Sequence, residues 1–116
     1  MTDVRTLSTE DLRQRLGEGN GLQVWNVQTD RFFSGELIPG TRRVSLDTLE
    51  RHVTSVSKDA PLVTYCGGPQ CPQSREAAQK LIALGFTDVH VYADGLKGWK
   101  TAGHEVVKVP QSPPAA

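Results

Sequence analysis

The sequence predicts an α/β fold with a mostly parallel central sheet flanked by helices on both faces. Three observations predict it. Strand-patterned and helix-patterned segments alternate along the chain, the order a parallel sheet needs because each crossover carries a helix. The run Leu62, Val63, Thr64, Tyr65 is uncharged and mostly β-branched or aromatic, which suits a strand buried on both faces. It passes through a loop of turn formers, residues 67–73, into a segment with Ala77, Ala78, Leu81 and Ile82 on one helical face.

The elements follow in order. Residues 4–7 read as a short edge strand. Ser8 with Asp11 three residues on has the form of a capping box, and Leu12 and Leu16 share one face of the helix it opens. Gly17, Gly19 and Gly21 end that helix. Residues 22–27 are the next strand, residues 29–35 a short helical turn, and residues 37–40 a Leu-Ile-Pro-Gly turn. Residues 42–46 form a short strand whose start, Arg42 and Arg43, is solvated or faces an anionic donor. Asp47 caps a helix running to about Val53. After the 62–65 strand and the loop, Ser74 is the N-cap of a long helix that stops at Gly85, a residue suited to the position just past a helix end. A strand at 89–92, a helix at 95–103 and an extended piece at 105–107 complete the domain, residues 1–107. Residues 108–116 carry three prolines among small residues and read as a disordered tail. Trp25 and Trp99 belong to the core.

Composition excludes several functions. The chain of 116 residues suits one domain, with 37% apolar residues. Thirteen basic and thirteen acidic residues cancel, so no basic stripe points to nucleic acid. There is no run long enough to span a membrane and no secretory pattern in the polar N-terminal stretch. A cytoplasmic location is expected, with both cysteines reduced at rest.

Cys66 stands where the buried strand ends and the loop begins. Backbone N–H groups of a Gly-containing loop and a first helical turn converge there and favour negative charge. A thiol so placed is expected to have a lowered pKa and to act as a thiolate nucleophile near neutral pH. The plain alternative is a buried structural cysteine.

The chain resembles a single-domain rhodanese. The resemblance rests on the Tyr65-Cys66 strand end, the Gly-containing loop, the Ser74, Ala77-Ala78, Leu81 helix, Leu84-Gly85-Phe86, and Gly95-Leu96 with Trp99 and Ala102-Gly103. Upstream, Ile38-Pro39-Gly40 matches the turn before the family's third strand. The likeness runs from about Leu7 to Val107, and the Cys-x4-Cys loop resembles a subgroup with an extended active-site loop. It implies a thiosulfate or persulfide sulfurtransferase. Cys66 takes a sulfane sulfur from a small donor, holds it as a persulfide and passes it to cyanide or a thiol; a protein acceptor is a further candidate. The substrate-binding residues so implied are Gly67, Gly68, Gln70, Cys71, Gln73, Ser74 and Arg75. No cofactor and no metal are implied. The family often has Asp and Arg where this chain has Asn26 and Gln28, and His where it has Leu37.

Other readings stand beside this one. A redox-sensing or protein-binding module would use the Cys66/Cys71 loop without turnover. An arsenate reductase or phosphatase would need an Arg fork for a tetrahedral oxyanion; the nearest candidate, Arg75, points to solvent if Ser74 is the cap. A zinc site from Cys66, Cys71, His90 and His104 is disfavoured by spacing. His90 reads as a surface or sheet-edge residue and His104 as a solvated turn residue. Cys71 either packs beneath the loop or attacks the Cys66 persulfide, giving a disulfide and releasing sulfide.

Overall fold

A computed structural model describes residues 5–18, 22–29, 33, 35–68 and 71–108. Five strands form one sheet: β1 (Arg5–Thr6), β2 (Gln23–Asn26), β4 (Arg42–Arg43), β5 (Leu62–Tyr65) and β6 (Val89–Tyr92). Their order is β1-β6-β5-β2-β4 and every pairing is parallel. Two further strands, β3 (Glu36–Leu37) and β7 (Val107–Lys108), pair antiparallel outside that sheet. The helices are α1 (Thr9–Glu18), α2 (Leu49–His52), α3 (Gln73–Ala83) and α4 (Gly95–Thr101). The expected α/β architecture is therefore the observed one.

The sheet is covered on both faces because successive strand residues point to opposite sides. Trp25, Leu62 and Val91 meet Leu49, Ala77, Ala78 and Leu81 of α2 and α3. Val24, Val63 and Tyr92 meet Leu12 of α1 and Leu96 and Trp99 of α4. Trp25 and Trp99 are both core, as expected.

Local signals explain several boundaries. The Ser8 hydroxyl accepts the Asp11 N–H at 3.1 Å, the N-cap half of the predicted box. Thr41 N–H bonds to the Ile38 carbonyl, closing the Ile-Pro-Gly turn on Gly40 at φ +84°. At the end of α3, Gly85 has φ +104°, Phe86 N–H reaches the Leu81 carbonyl, and Gly85 N–H reaches that of Ile82. This pair of bonds is the Schellman closure.

Other expectations are corrected. Asp47 is no cap: it sits inside a 3₁₀ turn, Leu46–Thr48, and accepts the hydroxyl of Ser45, the residue that precedes that turn. The expected single helix is split into that turn, α2 and a second 3₁₀ turn, Val53–Ser55. The 42–46 strand shrinks to two residues, since β4 has only β2 beside it and the chain turns off at Ser45. Gly17 lies inside α1, while Gly19 and Gly21 fall outside the described residues. His90 is buried, because β1 covers β6 on the side where an edge was expected; its Nε2 lies 2.7 Å from Asp88 Oδ1. Lys108 belongs to β7 and pairs with Glu36; residues 109–116 of the expected tail lie outside the described residues. So do residues 30–32 and 34 of the 29–35 turn, although Phe33 N–H reaches the Thr29 carbonyl at helical spacing.

Candidate active site

Cys66 leaves the carboxyl end of β5 and is 1% exposed. Its position is held by backbone bonds from α4. Leu96 N–H donates to the Cys66 carbonyl at 3.0 Å and Lys97 N–H to the Gly67 carbonyl at 2.9 Å. The close approach requires a glycine at position 95: φ is +63°, and a Cβ there would lie 2.4 Å from the Cys66 oxygen and 2.7 Å from the Gly68 nitrogen.

The loop then curls back. Cys71 N–H donates to the Gly68 carbonyl at 3.1 Å, spanning Pro69 and Gln70, which lie outside the described residues. The Cys66 thiol donates to the Cys71 carbonyl at 3.4 Å. The far end of the loop is tied to the segment after β2. Gln73 accepts the Thr29 N–H through Oε1 at 3.2 Å and donates from Nε2 to the Thr29 hydroxyl at 3.1 Å. The near end rests on Gln28, whose Nε2 lies 3.0 Å from where a Gly67 Cβ would stand. Gln28 is itself fixed: its Oε1 accepts Asn26 Nδ2 at 3.1 Å, and its N–H reaches Asn26 Oδ1 at 3.0 Å.

Ser74 is near the sulfur, but not as the predicted N-cap. Helix α3 starts at Gln73, two residues before the start a Ser74 cap implies, and Pro72 precedes it with no side-chain cap. The φ of Pro72, −82°, is already compatible with a helix, and its carbonyl takes the Glu76 N–H at 3.0 Å. Ser74 is therefore a buried first-turn residue whose hydroxyl and backbone act on the Cys66 sulfur and favour its ionised form. Its own carbonyl accepts the Thr64 hydroxyl at 2.8 Å, pinning α3 to β5.

The expected lowered thiol pKa is overturned. Burial pushes Cys66 up from 9.0 to about 11, and the Cys71 side chain pushes the same way; the Ser74 bonds pull it down without winning. Desolvation of the buried thiolate outweighs the favourable influence of Ser74.

The remaining candidates divide. Gly67 follows Cys66 in the chain, Cys71 and Ser74 flank its sulfur, and Gly68 and Gln73 belong to the loop without a contact to Cys66 of their own. Arg75 and Glu76 are exposed on α3 although Ser74, on whose capping that expectation for Arg75 depended, is not the cap, and Gln70 lies outside the described residues. His104 stacks on Trp99 with ring centres 4.6 Å apart, and His90 bonds Asp88, so neither histidine is assigned to the cysteines. Arg43 covers the Phe33 ring and donates to the Gln28 carbonyl at 3.2 Å. Sequence reasoning missed Thr29, Gly95 and Lys97, and noted Asn26 and Gln28 only as departures. An open hollow of about 390 Å³ adjoins the loop, bordered by Gln28, Gly67, Lys97, Lys100 and Glu36 among others.

Comparison with known proteins shows the family to which this fold belongs. The family model for the rhodanese-like domain matches residues 8–102. Thiosulfate sulfurtransferase GlpE of Pseudomonas aeruginosa is 32% identical over 95 residues, covering 82% of this chain and 83% of that one. GlpE of Shewanella oneidensis is 28% identical over 102 residues, covering 88% and 98%. A crystal structure of a thiosulfate sulfurtransferase from Pseudomonas aeruginosa superposes with TM-score 0.80 at 26% identity, over 91% of this chain but 20% of that much longer one. The BH2092 protein from Bacillus halodurans superposes with TM-score 0.81 at 26% identity, over 90% and 77%.

Proposed function

Because the chain belongs to the rhodanese-like family, we propose that it is a sulfurtransferase with Cys66 as the covalent sulfur carrier. The observation that carries this assignment is the enclosure of the Cys66 sulfur at the carboxyl end of β5 by Cys71 and Ser74. In parallel sheets that end is where ligands bind.

The chemistry is a two-step exchange. The Cys66 thiolate attacks the outer sulfur of thiosulfate; the S–S bond breaks and sulfite leaves with its electron pair. Cyanide or a thiol then attacks the outer sulfur of the persulfide, and Cys66 leaves as thiolate. Backbone and hydroxyl donors of Ser74 stabilise the anionic sulfur in each step. Splitting the transfer at a covalent intermediate is ordinary nucleophilic catalysis.

The loop argues against oxyanion chemistry. Residues 67–74 carry no charge, and Arg75 is exposed, so no guanidinium fork is offered to a phosphate or arsenate. Thiosulfate is the donor suggested by the relatives, and cyanide, small thiols or a protein thiol are acceptors of suitable chemistry. No helix among the described residues is long and apolar enough to cross a membrane; a reducing, cytoplasmic setting suits two free cysteines.

The test is mass spectrometry of the intact protein after incubation with thiosulfate. Wild type should gain the mass of one sulfur and lose it to cyanide, and Cys66→Ser should gain none. Retention of sulfur by the Ser variant would move the carrier role to Cys71.

A further inference from the structure

We infer that Lys97 is a specificity-determining residue of the acceptor step, reading the carboxylate of an acidic low-molecular-weight thiol whose sulfur approaches the Cys66 persulfide. The inference rests on the sulfurtransferase reading. It begins from what the loop lacks. No Lys or Arg lies between Gly67 and Ser74, so an anionic acceptor must find its counter-charge outside the loop.

Lys97 is held against that loop by its own backbone. Its N–H donates to the Gly67 carbonyl at 2.9 Å. Its Cβ and Cδ stand 3.4 and 3.7 Å from the place a Gly68 Cβ would occupy, so the aliphatic stem runs along the loop and carries the ammonium to solvent. Two lysines border the hollow, and they differ. Lys100 is neutralised by Glu36 at 3.0 Å, whereas Lys97 has no ion pair among the described residues. The hollow therefore holds one cation in excess.

The opposite wall is Gln28. Gln28 is 5% exposed, and its oxygen is taken by Asn26, which turns its NH₂ group toward Gly67. The Thr101 side chain is a further polar group on the border. A lysine cation among polar residues suits a carboxylate better than a cation or an apolar group. Size points the same way. The hollow, about 390 Å³, is far larger than cyanide needs and falls in the ~300–1,000 Å³ range of small-molecule sites.

The experiment compares two acceptors of similar reactivity and different charge, mercaptosuccinate and 2-mercaptoethanol. Thiosulfate-loaded wild type, Lys97→Glu, Lys97→Gln and Lys97→Arg are each mixed with both, and loading is checked by intact mass. The readout is the ratio of kcat/KM for mercaptosuccinate to that for 2-mercaptoethanol. Charge reversal should lower this ratio on the order of tenfold, with Gln intermediate and Arg restoring it. Added salt should lower the wild-type ratio and leave the Gln variant's ratio nearly flat. Equal ratios in all four proteins would overturn the assignment of Lys97 alone. A wild type that takes up no sulfur would overturn the sulfurtransferase reading and this inference with it.

Discussion

The Cys66 thiol donates to the carbonyl oxygen of Cys71, 3.4 Å away, so the two ends of the x4 segment meet at the nucleophile. The contact favours the protonated thiol, and it brings the backbone of the second cysteine to the sulfur of the first.

This proximity gives Cys71 a testable role. A Cys71 thiolate can attack the inner sulfur of the Cys66 persulfide; the Cys66–Cys71 bond forms, the S–S bond to the outer sulfur breaks, and hydrosulfide leaves. For that disulfide the two Cα atoms must come within about 4.4–6.8 Å of each other. In the absence of acceptor, the persulfide of Cys71→Ser should outlive that of wild type several-fold. Peptide mapping of aged wild type should show a 66–71 linkage. Equal lifetimes with no such linkage would leave Cys71 a packing residue.

The raised pKa of Cys66 sets the pH dependence. With the thiol pushed up to about 11, the rate of alkylation by iodoacetamide should climb about tenfold per pH unit from pH 7 to 10. A plateau near neutrality would contradict it. Stability follows by linkage. The folded value lies above the ordinary 9.0, so the stabilisation is complete below about pH 9 and is lost as pH rises toward about 11. Wild type should therefore lose more stability over that window than Cys66→Ala, measured by urea unfolding at each pH.

Ser74→Ala separates the sulfur's environment from the fold. The variant loses the hydroxyl that helps hold Cys66 down, so alkylation at neutral pH should slow several-fold. Stability should fall by only about 0.5–1.5 kcal/mol, because the Thr64 bond to the Ser74 carbonyl survives. An unchanged thiol titration would remove Ser74 from the site.

Gly95→Ala should be far worse than Gly40→Ala. Both positions have positive φ, which costs an Ala roughly 1–2 kcal/mol. At Gly40 a Cβ meets nothing within 4 Å, whereas at Gly95 it strikes the Cys66 oxygen and the Gly68 nitrogen. The Gly95 variant should lose at least about 3 kcal/mol in urea unfolding and lose sulfur loading as well. Similar losses in the two variants would mean that the loop tolerates displacement.

Signals contained within a few neighbouring residues were legible in the sequence. The uncharged 62–65 run, the Ser8 cap and the Gly85 stop each act through adjacent turns, and each was found. Contacts made across the fold were not legible. Ser74 is a better cap residue than Pro72 in isolation, yet the loop's return path starts the helix at Gln73. The helix N-terminus predicts a low pKa for Cys66, and burial reverses the sign. The sequence suggests an edge at His90, since nothing near it reveals that Arg5 and Thr6 cover that side. Gly95 looked like an ordinary helix start until the Cys66 carbonyl was placed against it.

The pairing of Arg5 and Thr6 with His90 and Val91 has a consequence for how the chain acquires its shape. Such a contact joins distant positions, and closing so long a stretch is slow. During synthesis β1 has no partner until residue 91 has emerged, and β5 lacks one of its two neighbours until that same strand follows it. The α4 amides that latch the Cys66 and Gly67 carbonyls come later still. A half-made chain thus carries Cys66 outside its enclosure, free of the burial that suppresses its ionisation. The nascent thiol is the more easily alkylated and oxidised one, and completion of the last helix is what shelters it.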